Sequence, residues 1–156
     1  MRSRILLIFL LISFSSLVYS QKLYKGETTF EKVLVYSFKG KNIFKGDSRW
    51  SSKPLFSFDE HYFYAGSSGF SDQRLFEIKG DRIYFVSNGF SRTVAYTVKD
   101  NKIYNGDSSF SGDCLFTLSD GKIYSGDSTF ISDILFTLEA AEAIDLRIIA
   151  CLIGPF

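Results

Sequence analysis

Proline, cysteine and histidine are scarce in this 156-residue chain, which has two prolines, two cysteines and one histidine. So little proline beside 17 phenylalanines and 9 tyrosines excludes a proline-rich linker or a disordered tail, and suits β-strands. Two cysteines, Cys114 and Cys151, cannot form the framework of a disulfide-stapled domain. The single histidine, His61, has no partner His or Cys at ligand spacing, so it reads as a turn residue rather than a metal ligand. No serine sits in a nucleophile elbow or beside a second base. Charge of one sign is missing too. With 18 basic and 17 acidic residues there is no electrostatic case for nucleic acid or an anionic membrane. The expectation is a protein with no catalytic residues, no metal and no cofactor.

A long hydrophobic run is also absent. Ile5 to Val18 is apolar apart from small serines, but it is shorter than the roughly 20 residues a membrane span needs. Arg2 and Arg4 precede it and Val18-Tyr19-Ser20 follows it, so residues 1–20 read as a signal peptide cleaved before Gln21, with an uncleaved anchor as the alternative. The expected location is outside the cytoplasm: periplasmic, cell-surface or secreted.

What is present is a repeat. Six 20-residue units begin at Gln21, Lys41, His61, Asp81, Asn101 and Gly121, in phase and without insertions. Column three is always large and apolar, from Leu23 and Ile43 through Phe63, Ile83 and Ile103 to Ile123. Columns sixteen (Phe116 and Phe136 in the last two units) and eighteen (Leu118 and Leu138) are apolar as well. Columns four and ten are aromatic in all six units, whereas columns five and twelve to fourteen vary as solvent-facing positions would. The unit junctions carry hairpin-turn residues such as Asp120-Gly121 and Gly80-Asp81. A two-residue loop at Asp120-Gly121 sets Leu118 opposite Ile123, with Phe116 on the same face. Column four then points to the other face beside Ser or Thr at column seventeen, and the column-ten aromatic is expected to fold back over the edge of the hairpin core.

An isolated hairpin is marginal in water, so the six must pool their apolar faces. The tail after Leu138 offers the shared partner. Its pattern predicts a helix over about 139–153, apolar on nearly all sides and too short to span a bilayer, ended by Gly154-Pro155. Twelve tilted strands close into a ring about 24 Å across, a lumen that one helix and inward Phe and Leu side chains can fill. The expected fold is mainly β: a closed antiparallel 12-stranded barrel around a C-terminal helix, residues 21–156 forming one domain. The expected core includes Ile43, Ile83, Ile103, Ile123, Phe116, Phe136, Leu118 and Leu138, with Ile144, Ile148 and Leu152 from the helix. An open β-solenoid or hairpin ribbon capped by the helix is the alternative.

Twelve strands followed by an apolar helix resemble the tubby C-terminal domain and phospholipid scramblase family, and the short regular unit is similar to repeats of exported bacterial β-flower proteins. The first resemblance implies a lipid- or envelope-associated role, with no residues attached to it.

For ligands, the column-four residues Tyr24, Tyr64, Tyr84, Tyr104 and Tyr124 are the candidate surface aromatic platform, for carbohydrate or protein. Asp107, Asp113, Asp127 and Asp133 flank the last two loops. Calcium would need equivalent oxygen ligands in every unit, which the sequence lacks, so these acids read as turn caps. Cys114 lies in a variable, outward column and Cys151 on the helix, which disfavours a bridge between them. The function expected is a non-enzymatic exported binding or structural module, with membrane association as the less favoured reading.

Overall fold

A computed structural model describes residues 21–26, 33–48, 50–67, 70–86, 92–139 and 144–154. The expected signal peptide, residues 140–143 of the expected helix, and the column-ten residues Phe30 and Phe90 lie outside the described residues.

The strands are β1 (Gln21–Lys25), β2 (Val33–Lys39), β3 (Asn42–Lys45), β4 (Phe56–Phe58), β5 (Tyr62–Ala65), β6 (Arg74–Lys79), β7 (Arg82–Phe85), β8 (Val94–Lys99), β9 (Lys102–Asn105), β10 (Cys114–Ser119), β11 (Lys122–Ser125) and β12 (Ile134–Glu139). Each pairs antiparallel with its neighbours in sequence, and β1 pairs with β12 to close the barrel. The structure is thus the closed form and not the open solenoid. Closure leaves no sheet edge to attract another chain.

Turn chemistry sets the register. Leu118 faces Ile123 across Asp120-Gly121, whose φ angles of 49° and 70° are those of a two-residue hairpin turn with the twist of the flanking strands. Asp100 and Asn101 do the same at 52° and 61°. The junction between the second and third units uses another device. There the Asp59 carboxylate accepts from the backbone N–H groups of His61 and Tyr62, both at 2.8 Å.

Two bonds recur from unit to unit around the ring. The column-six N–H reaches the column-fifteen carbonyl of the preceding unit, as in Gly126 to Leu115 at 2.8 Å, and Gly26 to Leu135 at 3.1 Å carries the pattern across the β1–β12 seam. The column-seventeen hydroxyl donates to the following column-six carbonyl. Ser57 to Gly66 (2.7 Å), Thr97 to Gly106 and Thr117 to Gly126 (both 2.8 Å) make this bond, and Thr137 to Gly26 (3.0 Å) again crosses the seam. In the one unit where column six is Val86 instead of Gly, the preceding column seventeen is Glu77 instead of Ser or Thr. Glu77 pairs with Lys79 at 2.9 Å and Arg92 at 3.6 Å. The two departures fall at one contact, because the hydroxyl bond and the turn that presents its acceptor form a single device.

Ser37 occupies the same column but its hydroxyl is buried without a partner. An unsatisfied buried hydroxyl costs about 1–3 kcal/mol. Ser37→Ala is therefore expected to leave stability unchanged or raise it, whereas Ser57→Ala lowers it by about 1 kcal/mol. Paired urea titrations check this, and equal losses at both sites would refute it.

Column three forms the inner layer. Leu23, Ile43, Phe63, Ile83, Ile103 and Ile123 are all fully buried. Phe116, Phe136, Leu118 and Leu138 are half-buried and pack against that layer. The lumen is filled by α1 (Leu146–Ile153), shorter than the sequence pattern suggests. Glu139, expected to begin the helix, is instead the last residue of β12, paired with Lys22. The helix starts where Asp145 caps it, its carboxylate accepting the Arg147 N–H at 2.9 Å. Ile148, Ile149, Ala150, Cys151 and Leu152 are buried in succession. A run of five leaves no solvent face, which places the helix on the axis. Ile144 packs against the same core. Arg147 donates to the Gly80 carbonyl at 3.0 Å, so the helix enters from the end of the barrel that carries the unit-junction turns.

Candidate functional site

The five column-four tyrosines lie on the outer wall as the alternation requires, but they are not an exposed platform. Tyr64, Tyr104 and Tyr124 are only 4–6% exposed, and Tyr24 and Tyr84 are half-buried. The cause is a bulge in each of the five units that carry these tyrosines. Register shifts between columns three and four, so Tyr24, Tyr64, Tyr84, Tyr104 and Tyr124 face column fourteen: Leu34, Arg74, Val94, Cys114 and Ile134. Column fourteen, expected to face solvent, instead helps to cover the rings, and Cys114 and Ile134 are themselves buried. Tyr64 also donates to Asp59 at 2.6 Å. Burial and that bond raise its phenol pKa above the ordinary value. Burial first, then Glu139, push the Tyr24 phenol up to about 12. These tyrosines are wall structure.

The aromatics that do face solvent are those of column ten. Trp50 is 86% exposed, Phe70 65%, Phe110 78% and Phe130 75%. They do not fold back over the hairpin core, and the loops show why. In the last two units Ser108 donates to Asp113 at 2.6 Å and Ser128 donates to Asp133, while the N–H groups of Phe110 and Phe130 donate to the same serine oxygens at 3.2 and 3.1 Å. The carbonyls of Phe110 and Phe130 accept from the N–H groups of Asp113 and Asp133, both at 2.9 Å, and a short 3-10 turn follows each ring. The serine, the acid and the backbone groups around the ring bond to one another within the loop, which leaves the ring on the outside. Phe70 has the same turn, its carbonyl accepting from Gln73.

Topology gathers these rings. In a closed up-and-down barrel the loops inside each unit all emerge at one end, and the unit junctions at the other. Among the described residues every exposed large apolar side chain falls in columns five to fifteen, including Ile131, Val33, Leu55 and Phe85 beside the four column-ten rings. One end of the barrel is therefore an aromatic crown and the other a polar rim where Arg147 meets Asp145 and the Gly80 carbonyl.

The polar end has shallow clefts lined by Lys41, Asp59, Glu60, His61, Glu77 and Arg147. Two of these carboxylates, Asp59 and Glu77, are held by neighbouring groups. Burial opposes the charge of Asp59, but Tyr64 and the N–H groups of His61 and Tyr62 hold its carboxyl below the ordinary value, and Lys79 first, then Arg92, does so for Glu77. Asp107 pairs with Arg82 at 2.8 Å and Asp127 with Lys102 at 2.6 Å, while Asp113 and Asp133 close their loops. Among the described residues no three His, Cys, Asp or Glu side chains converge as metal ligands. Cys114 and Cys151 are both free and buried, one in the wall and one on the axis, with the sheet between them. Among the described residues no helix is long and apolar enough to cross a membrane.

No curated protein and no solved structure matches the chain. A family model does, the 6-fold beta flower protein, over residues 23–152. Its six-fold character corresponds to the six hairpin units that repeat around this barrel. The match spans β1 to the last turn of α1, and the chain belongs to the 6-fold β-flower family.

Proposed function

We propose that this protein is an exported, non-enzymatic binding module that docks through its crown. The observation that carries the reading is that, among the described residues, the exposed large apolar side chains are confined to one end of the barrel. Solitary exposed hydrophobics are ordinary, whereas a group rimmed by polar residues marks an interaction surface. Residues 1–20, with their basic start and short apolar run, support export. In the polar-end clefts Asp59 is held by Tyr64 and Glu77 by Lys79 and Arg92, which favours the non-enzymatic reading.

A second reading, a lipid- or envelope-associated protein of tubby- or scramblase-like architecture, draws support from the C-terminal helix wrapped in the barrel.

The test compares the wild-type chain with a variant carrying Phe70→Ser, Phe110→Ser and Phe130→Ser, on isolated cell-envelope fractions and on a glycan array. Circular dichroism should be the same for both, because the replaced rings stand in solvent. Retention on one of these surfaces should fall at least about tenfold in the variant. Equal retention of the two proteins would end the reading.

A further inference from the structure

We infer that the crown docks onto the surface of a net-neutral phospholipid bilayer, with its aromatic tips seated at the interface; this rests on the crown being the docking end. Three features favour a bilayer over other occupants. The first is spacing. A twelve-stranded ring has a circumference of about 75 Å, which sets neighbouring tips about 12 Å apart. Rings that far apart cannot close on one sugar from two sides, and the clefts lined by Lys41, Asp59, Glu60 and Arg147 lie at the opposite, polar end. A fluid interface needs no such groove, because it closes around each tip separately.

The second is flatness. All six units are 20 residues long without insertions, and Phe70, Phe110 and Phe130 each stand directly before the same 3-10 turn, so these three tips share one level around the axis and present a flat array to a planar partner. The loops that set this level are stiffened by the Ser108–Asp113 and Ser128–Asp133 bonds. Little order is lost when such tips are immobilised.

The third is chemistry. Tryptophan favours the membrane–water interface, and phenylalanine presented from a charged surface buries into the same boundary region. Lys45 and Lys53 lie in the second unit and Asp113 in the fifth, diametrically across the rim, and Asp107 and Asp127 are neutralised by Arg82 and Lys102. Lys25 extends the basic side into the first unit, but the described rim carries acids in comparable number, so anionic headgroups gain no net attraction and the lipid is a neutral one.

The protein carries its own reporter. Trp50 is the sole tryptophan and sits on the crown. Its emission reads crown insertion in the full chain, whatever residues 1–20 do. With phosphatidylcholine vesicles the emission should shift to the blue and be quenched by lipids brominated near the headgroup end of their chains. Added salt should change neither effect, and anionic lipid should give no gain. In the Phe70→Ser, Phe110→Ser, Phe130→Ser chain, which keeps Trp50, apparent partitioning should fall at least about a hundredfold. Binding without a change in Trp50 emission would overturn the inference, because the chain would then be held by another part. So would an emission change that follows protein concentration or an added glycan and not lipid, although the crown would then remain the docking end with a different occupant. Unchanged binding of the triple variant to every surface would remove both.

Discussion

A chain shortened to end at Glu139 is expected to lose its cooperative thermal transition and bind a hydrophobic dye. Ile148, Ile149 and Leu152 are buried on the axis with Ala150 and Cys151. Each large side chain contributes about 1.5–3 kcal/mol by burial. Their combined loss is of the order of the whole stability of a domain, about 5–15 kcal/mol. Their removal also uncovers the partners they cover, since column three faces the same lumen around all six hairpins. Calorimetry on the shortened and full chains checks this. A shortened chain with an unchanged transition would mean that the hairpins close on one another without a centre. Milder tests should grade with depth: Ile149→Ala should cost about 2–5 kcal/mol and Arg147→Ala much less.

Gly154→Ala is expected to be the most damaging single-methyl change at the helix end. A Cβ built on Gly154 would lie 2.4 Å from Tyr96 Cζ, 2.5 Å from its hydroxyl oxygen and 2.6 Å from the Ala150 carbonyl. Its φ of −58° is ordinary, so closeness and not backbone strain requires glycine here. Tyr96 is 1% exposed and touches Phe76 at 6.1 Å between ring centres, so the ring has nowhere to go. Overpacking of this kind costs about 1–3 kcal/mol, and more where a backbone oxygen shares the clash. Trimming the ring should relieve part of the cost, so Tyr96→Leu combined with Gly154→Ala should be less destabilised than the sum of the single changes. Additive losses in urea titrations would show that Tyr96 is not the obstacle.

These two positions also show where the sequence is legible and where it is not. The inward columns could be read because a period of two, repeated six times, leaves Ile123 and Leu118 no other common face once Asp120-Gly121 fixes the turn. The helix was legible as an apolar segment after Leu138, but not its start. Glu139 looks like a helix N-terminus in sequence, yet β1 has no other partner at the seam, and pairing with Lys22 holds it in the strand. Gly154 reads as a helix stop. That it is also the only residue able to fit beneath Tyr96 depends on how far the helix travels into the lumen.

The surface aromatics divide in the same way. Beside the inward column sixteen, columns four and ten are aromatic throughout, and nothing in either one alone says which meets water. Column four lost its exposure to a one-residue bulge that sets Tyr124 against Ile134 and Tyr104 against Cys114. Column ten gained its exposure because Ser108 and Asp113 consume each other's hydrogen bonds around Phe110. The serine and acid flanking each ring were visible in the last two units, and they are the signal that could have marked the ring as displayed.

By itself, then, the sequence determined the hairpin count, the inward face and the need for a shared apolar centre, because periodicity and turn residues act over a few neighbours. Only the tertiary structure decided that the ring closes, with β1 against β12 and Thr137 bonded to Gly26, and that the exposed rings gather at one end. Both are properties of residues more than a hundred positions apart or of six loops at once, and no local pattern carries them.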